Sequence, residues 1–249
     1  ATGQPEAAAA LATLLPWYDR QAAAWSSARA QVCRHADVDR DWDPDTLDRA
    51  EWCLEHRRLS FAAEIHEIAD ADPTAVQRSV SDAARLAVHD RCTDRAWLHE
   101  QPPPPRDDRR AVMAARAEVS RAESLMLAGK YDQAVTIAAA ARTRAEALAW
   151  PPLVANAHFA EGLALAATGQ SAAAEVALSA AYFAAARDST WSLASDAASN
   201  LIYVVGAELV RPAEARVWFR HAEVAAAHIG DPTGLIEAAR LGELAAVLD

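Results

Sequence analysis

Six aspartates, Asp37, Asp39, Asp41, Asp43, Asp45 and Asp48, stand at the ligand spacing of an EF-hand calcium loop. Calcium wants hard oxygen donors, which this run supplies, but the loop also needs a glycine at its sharp turn and a bidentate glutamate at its end. Trp42 holds the first of those places and Asp48 the second. The run therefore reads first as an acidic interhelix loop whose last members cap a helix beginning at Pro44. A second set, Cys33, His35, His89 and Cys92, carries zinc-ligand chemistry, with His89 and Cys92 on one helical face. No two cysteines have CxxC spacing, and on alanine-rich helices such side chains more often pack than ligate. His66-Glu67 lacks the second histidine of HExxH, and no glutamate stands three residues before a histidine, as a di-iron bundle needs. No acid, base and nucleophile converge at motif spacing, so the chain is expected not to be an enzyme and to hold no cofactor.

The elements that position these residues are helices. The 249 residues include 65 alanines against 8 glycines, and alanine has the highest helix propensity. Asp43-Pro44, Asp72-Pro73 and Asp231-Pro232 each pair an N-cap acceptor with a proline in the first turn. The pattern predicts helices near 6–36, 44–70 and 73–90 and a short one near 94–100. Pro102 to Pro105 then breaks the chain, because prolines cannot donate backbone hydrogen bonds.

The net charge is -11, with 11 basic against 18 acidic residues before the proline run and 13 against 17 from it onward. Neither half has the basic footprint of a nucleic-acid binder, and Lys130 is the sole lysine. No apolar run reaches the roughly 18 residues that span a bilayer, so no transmembrane segment is expected. Three cysteines permit at most one internal disulfide. Compartment, oligomeric state and the identity of a protein or peptide partner stay open. The absence of an initiator methionine suggests a piece of something longer.

Beyond the prolines the sequence repeats. Ala122, Gly129 and Ala134 are spaced seven and five apart; Gly162, Gly169 and Ala174 repeat that spacing 40 residues later, and Tyr203, Val210 and Ala215 do so 41 further on. Gly242 opens a fourth unit. Small residues at these points let two antiparallel helices approach, and a turn glycine ends the first of each pair. The stretches Leu127-Ala-Gly-Lys-Tyr-Asp-Gln-Ala134 and Leu165-Ala-Ala-Thr-Gly-Gln-Ser-Ala-Ala-Ala174 resemble the tetratricopeptide repeat in a form of about 40 residues. In the third copy Val210 replaces the turn glycine and Pro212 the following aromatic. The expected fold is all-α: an α-solenoid of tetratricopeptide-like helix hairpins over 106–249, about 3.5 repeats. An N-terminal helical subdomain over 1–101 and a proline linker at 102–105 precede it.

The order of features resembles the region that follows the catalytic domain in bacterial serine/threonine protein kinases carrying C-terminal tetratricopeptide repeats. The resemblance rests on Trp25 through Cys33, Leu54-Glu-His-Arg-Arg-Leu59, Ile65 through Val80, Cys92, the proline run and the repeats. Where relatives of that kind are basic and polar between Cys33 and Leu47, this chain is rich in aspartate. No glycine-rich phosphate loop, His-Arg-Asp triplet or Asp-Phe-Gly is present. The resemblance implies a regulatory, partner-binding module. It would be cytoplasmic, or extracytoplasmic if the parent carries a membrane segment upstream of Ala1. A metal-responsive (Ca or Zn) helical module and the tetratricopeptide domain of a transcriptional regulator are the alternatives.

By the register of the repeats, the first helix of each pair should line a partner groove with Arg116, Val119, Glu123, Asn156, Phe159, Leu163, Asn200, Val204 and Arg240. Tetratricopeptide domains that grip a C-terminal carboxylate present a lysine and an asparagine where this chain has Val119 and Glu123. The groove is therefore expected to take a segment with an apolar centre. Eight tryptophans, Trp17, Trp25, Trp42, Trp52, Trp97, Trp150, Trp191 and Trp218, are spread along the chain and expected to fill space between alanines. Trp150 and Trp191, near the connections, are expected closest to a rim.

Overall fold

The computed structural model describes residues 5–69, 89–99, 103–229 and 235–248. They form ten α-helices and no strand among the described residues, as the alanine content dictates. α1 is Pro5–Cys33 and α2 is Pro44–Ala69. Between them α1 widens into a π turn, Arg34–Asp39, and Arg40 stops it in the left-handed conformation at φ 52°. The helix expected to 36 thus ends its α-form at Cys33. The short helix expected near 94–100 is α3, Arg95–His99, entered by the 3-10 turn His89–Thr93. Asp94 starts it by accepting from the backbone N–H groups of Ala96 (2.9 Å) and Trp97 (3.2 Å). The helix expected over 73–90, the Asp72-Pro73 and Asp231-Pro232 caps and Pro102 fall wholly or largely outside the described residues.

Two compact units divide after Lys130 rather than at the proline run. In the first, Ala1–Lys130, α1, α2 and α3 enclose Ala28, Val32, Ala50, Leu54 and Leu98 around a Cys53–Cys92 disulfide. Trp25 donates its indole N–H to the Leu54 carbonyl at 2.9 Å. α4, Arg109–Leu127, expected to open the first repeat, packs along α2. The reason lies in its buried stripe of Val112, Ala115, Val119 and Ala122. Arg109 also forks onto both oxygens of Asp48, and the Ser60 and Ser120 hydroxyls meet at 3.2 Å.

The second unit, Tyr131–Asp249, holds α5 (Tyr131–Leu148), α6 (Pro151–Ala167), α7 (Ser171–Arg187), α8 (Trp191–Tyr203), α9 (Pro212–Ile229) and α10 (Leu235–Leu248). Each packs on its sequence neighbour, and α10 also lies on α8. The crossings are made of alanine: Ala155, Ala181, Ala185, Ala194, Ala197 and Ala198 are all fully buried. Gly162 belongs to the same device, since a Cβ there would stand 2.6 Å from Leu178 Cγ and 2.8 Å from its Cδ2.

The turns at Gly129, Gly169 and Ser189 share one hydrogen-bond pattern. At Gly169, with φ +73°, the Gln170 N–H donates to Leu165 C=O and the Gly169 N–H to Ala166 C=O, both at 2.9 Å. That is the Schellman cap, which satisfies carbonyls a helix end leaves open. Ser189 (φ 58°) ends α7 the same way, with Thr190 N–H on Ala185 C=O at 2.8 Å. After α8 a π turn, Val204–Glu208, intervenes, and Val210 takes the left-handed place at φ 56°. Val210 therefore keeps the left-handed conformation that Gly129 and Gly169 take at the corresponding places 81 and 41 residues earlier.

Candidate functional site

Helix starts and cations engage most of the acidic run. Asp43 caps α2: one oxygen accepts from the N–H groups of Asp45 (3.0 Å) and Thr46 (2.9 Å), the other from the Thr46 hydroxyl at 2.7 Å. These bonds, led by the Thr46 N–H, lower its pKa to about 2. Asp45 accepts from Arg49 Nε at 2.8 Å. Asp48 takes the Arg109 fork, which holds its carboxyl below the usual range. Asp41 pairs with His35 Nδ1 at 2.8 Å, and Asp37 and Asp39 are exposed. Trp42, at the place of a calcium loop's glycine, stacks on His35 with ring centroids 4.3 Å apart. Among the described residues no three His, Cys, Asp or Glu side chains gather as a metal-ligand group. Cys92, a zinc candidate by sequence, is bonded to Cys53, while Cys33 is exposed and free.

The nine residues expected in one groove divide between the units. Arg116, Val119 and Glu123 lie on α4 in the first. Arg116 and Val119 are buried, with the Arg116 guanidinium 5.5 Å over the Trp52 ring, so neither presents itself to a partner. Desolvation pushes the Glu123 carboxyl up to about 7 against the pull of Arg116, and lowers the Arg116 guanidinium to about 10. In the second unit Val204 and Arg240 are also buried. Arg240 lies 4.4 Å over the Phe219 ring, ion-paired with Glu223 at 3.4 Å and with Glu237. Arg240 therefore joins α9 to α10 rather than lining a groove. Phe159 and Leu163 are half-buried against the core, Phe159 touching both of its clusters. Asn156 and Asn200 donate to carbonyls one turn back, Pro152 at 2.6 Å and Asp196 at 2.8 Å. Trp150, expected near a rim, is buried.

What the groove reading missed lies on the second helices. Val176 is 70% exposed, Phe183 53%, Val217 54% and Val224 53%. Each pair is seven residues apart on its helix, α7 or α9, so each forms a stripe on one face. The two helices run side by side in the same direction. Glu175 pairs with Arg211 at one end, and farther along Tyr182 and Phe183 meet Trp218 and His221. The Tyr182 hydroxyl lies 2.9 Å from His221 Nδ1, and the Phe183 and Trp218 ring centroids are 6.1 Å apart. The signal was legible: Val176 and Val217, like Phe183 and Val224, are 41 residues apart, the shift of the repeat itself.

The chain matches no protein-family model, no curated protein and no solved structure.

Proposed function

We propose that this chain is a protein- or peptide-binding module built from tetratricopeptide-like helix pairs, and that the strip on α7 and α9 is its binding surface. The observation that carries the reading is the four large apolar side chains, each more than half exposed, on two adjacent parallel helices. Apolar area left in water costs about 25 cal/mol per Å², and large apolar side chains exposed together on adjacent helices are the kind that partners cover. Trp218, half-buried beneath the strip, supplies the aromatic type that dominates binding energy at such surfaces.

A randomised peptide library displayed on phage and panned against the whole chain tests the reading. Selected peptides should lose capture on Phe183→Ala, Val217→Ala chains whose melting temperature stays within a few degrees of the parent, because both side chains are half exposed. If Phe159→Ala, Leu163→Ala abolishes capture in a chain that keeps the parent's melting temperature and the first pair does not, the surface is instead the one lined by α6. The kinase-tail resemblance is tested separately, by whether the sequence upstream of Ala1 encodes a kinase domain.

A further inference from the structure

We infer that the occupant of the strip is an acidic amphipathic segment of another protein, with apolar side chains on Phe183, Val217 and Val224 and carboxylates on Arg187, Arg216 and Arg220. The inference rests on the reading of this strip as the binding surface. Charge selects the occupant. The carboxylates on α7 and α9 are Glu175, Glu214 and Glu223, and every one is occupied: Arg211 takes Glu175 and Glu214, and Arg240 takes Glu223. Arg187, Arg216 and Arg220 are exposed and form no ion pair with a described residue. Arg187 stands one turn beyond Phe183, and Arg220 stands between Val217 and Val224, so these cations border the apolar stripe by helical register. A chain of net charge -11 thus displays an uncompensated basic rim around four apolar side chains that are each more than half exposed.

A second copy fits this surface poorly. A symmetric contact between two strips would set the same three arginines against one another, with no free carboxylate on either helix to answer them. A lipid surface fits poorly as well. Membrane-binding helices carry larger clusters of cations and a broader apolar face than three arginines, one phenylalanine and valines supply. A carboxylate-bearing helix satisfies both features: guanidinium forks bind carboxylates in bidentate geometry, and leucine-like side chains cover the stripe.

The probe is a labelled synthetic peptide of about 15 residues with leucine on one helical face and glutamate on the other, followed by fluorescence polarisation on the whole chain. It should bind saturably, weaken with added salt, and weaken at least about tenfold both on Arg216→Glu, Arg220→Glu and on Phe183→Ala chains. The same peptide with lysine for glutamate should not bind. If the lysine peptide binds equally, or charge reversal changes nothing while library-selected peptides still require Phe183, the acidic assignment falls and the binding surface stands. Suppose instead that no selected peptide requires Phe183, and the strip mediates self-association in sedimentation or adsorption to phosphatidylserine vesicles. Both readings then fall.

Discussion

Val210 carries a β-branched side chain at φ 56°, where Gly129 and Gly169 serve the corresponding turns at φ 75° and 73°. L residues pay about 1 to 2 kcal/mol in that region, and glycine gives part of this back through the entropy of the unfolded chain. Val210→Gly should therefore stabilise by about 1 kcal/mol, read as a higher urea midpoint at unchanged slope; an unchanged or lower midpoint would show that the π turn before it relieves the strain. Glu123 supports a prediction about pH. Its folded pKa, about 7, lies above the ordinary carboxyl value of 4.5, so between those values the folded protein holds a proton that the unfolded chain gives up. Its contribution then falls as pH rises from about 4.5 through 7. His56 acts oppositely, since burial beside Arg116 and Arg57 lowers its pKa, so stability is lost as pH falls below 6.5. The two oppose each other, and only a difference isolates Glu123. The stability of Glu123→Gln relative to the parent should rise as pH goes from 5 to 8, and a flat difference would place Glu123 in water.

Helix crossings in the second unit are close because the residues at them are alanine and glycine. At Gly162 a Cβ already meets Leu178, so a leucine must push α6 and α7 apart. Gly162→Leu should cost about 1 to 3 kcal/mol or more. Leucine at Gln170, exposed beyond the turn, should cost a few tenths by comparison. Equal losses in thermal melts would remove the close crossing. In the first unit the Cys53–Cys92 bond closes a loop over a sequence separation of 39 and ties the segment leading into α3 to α2. The chain-entropy treatment gives such a loop about 3 to 4 kcal/mol. Melting with and without reductant should show a loss of that order. A Cys53→Ser, Cys92→Ser chain should melt like the reduced parent and ignore reductant.

Over the whole chain, acidic charge and exposed basic rim act together. The charge of -11 repels an acidic partner at long range while Arg187, Arg216 and Arg220 attract it at contact. Screening length falls to about 10 Å at 0.1 M salt, so both are weakened. Raising salt should therefore lower affinity mainly by speeding dissociation, as the contact pairs weaken, while relief of the long-range repulsion offsets part of that loss in the association rate. Among the described residues no helix is long and apolar enough to cross a membrane, as the hydropathy of the sequence implies.

The sequence by itself determined what depends on neighbours a few residues apart. Alanine content dictates helix, Asp43 before Pro44 marks the start of α2, and Gly129 and Gly169 mark turns, because capping and left-handed conformation are decided within one helical turn. The spacing of about 40 residues likewise marks Gly162 as a close approach, and a Cβ there would meet Leu178. Tertiary structure alone decided which side of each helix is covered. Arg116, Val119, Val204 and Arg240 read as groove residues because helical register gives a face but not its neighbour. α4 found that neighbour in α2, far back in the sequence, through Val112, Ala115 and the Arg109–Asp48 fork. The same holds for the cysteines and for the strip. The pairing of Cys53 with Cys92, and the contact of Phe183 with Trp218, each join residues about 35 to 40 positions apart, and such contacts form only when whole helices pack.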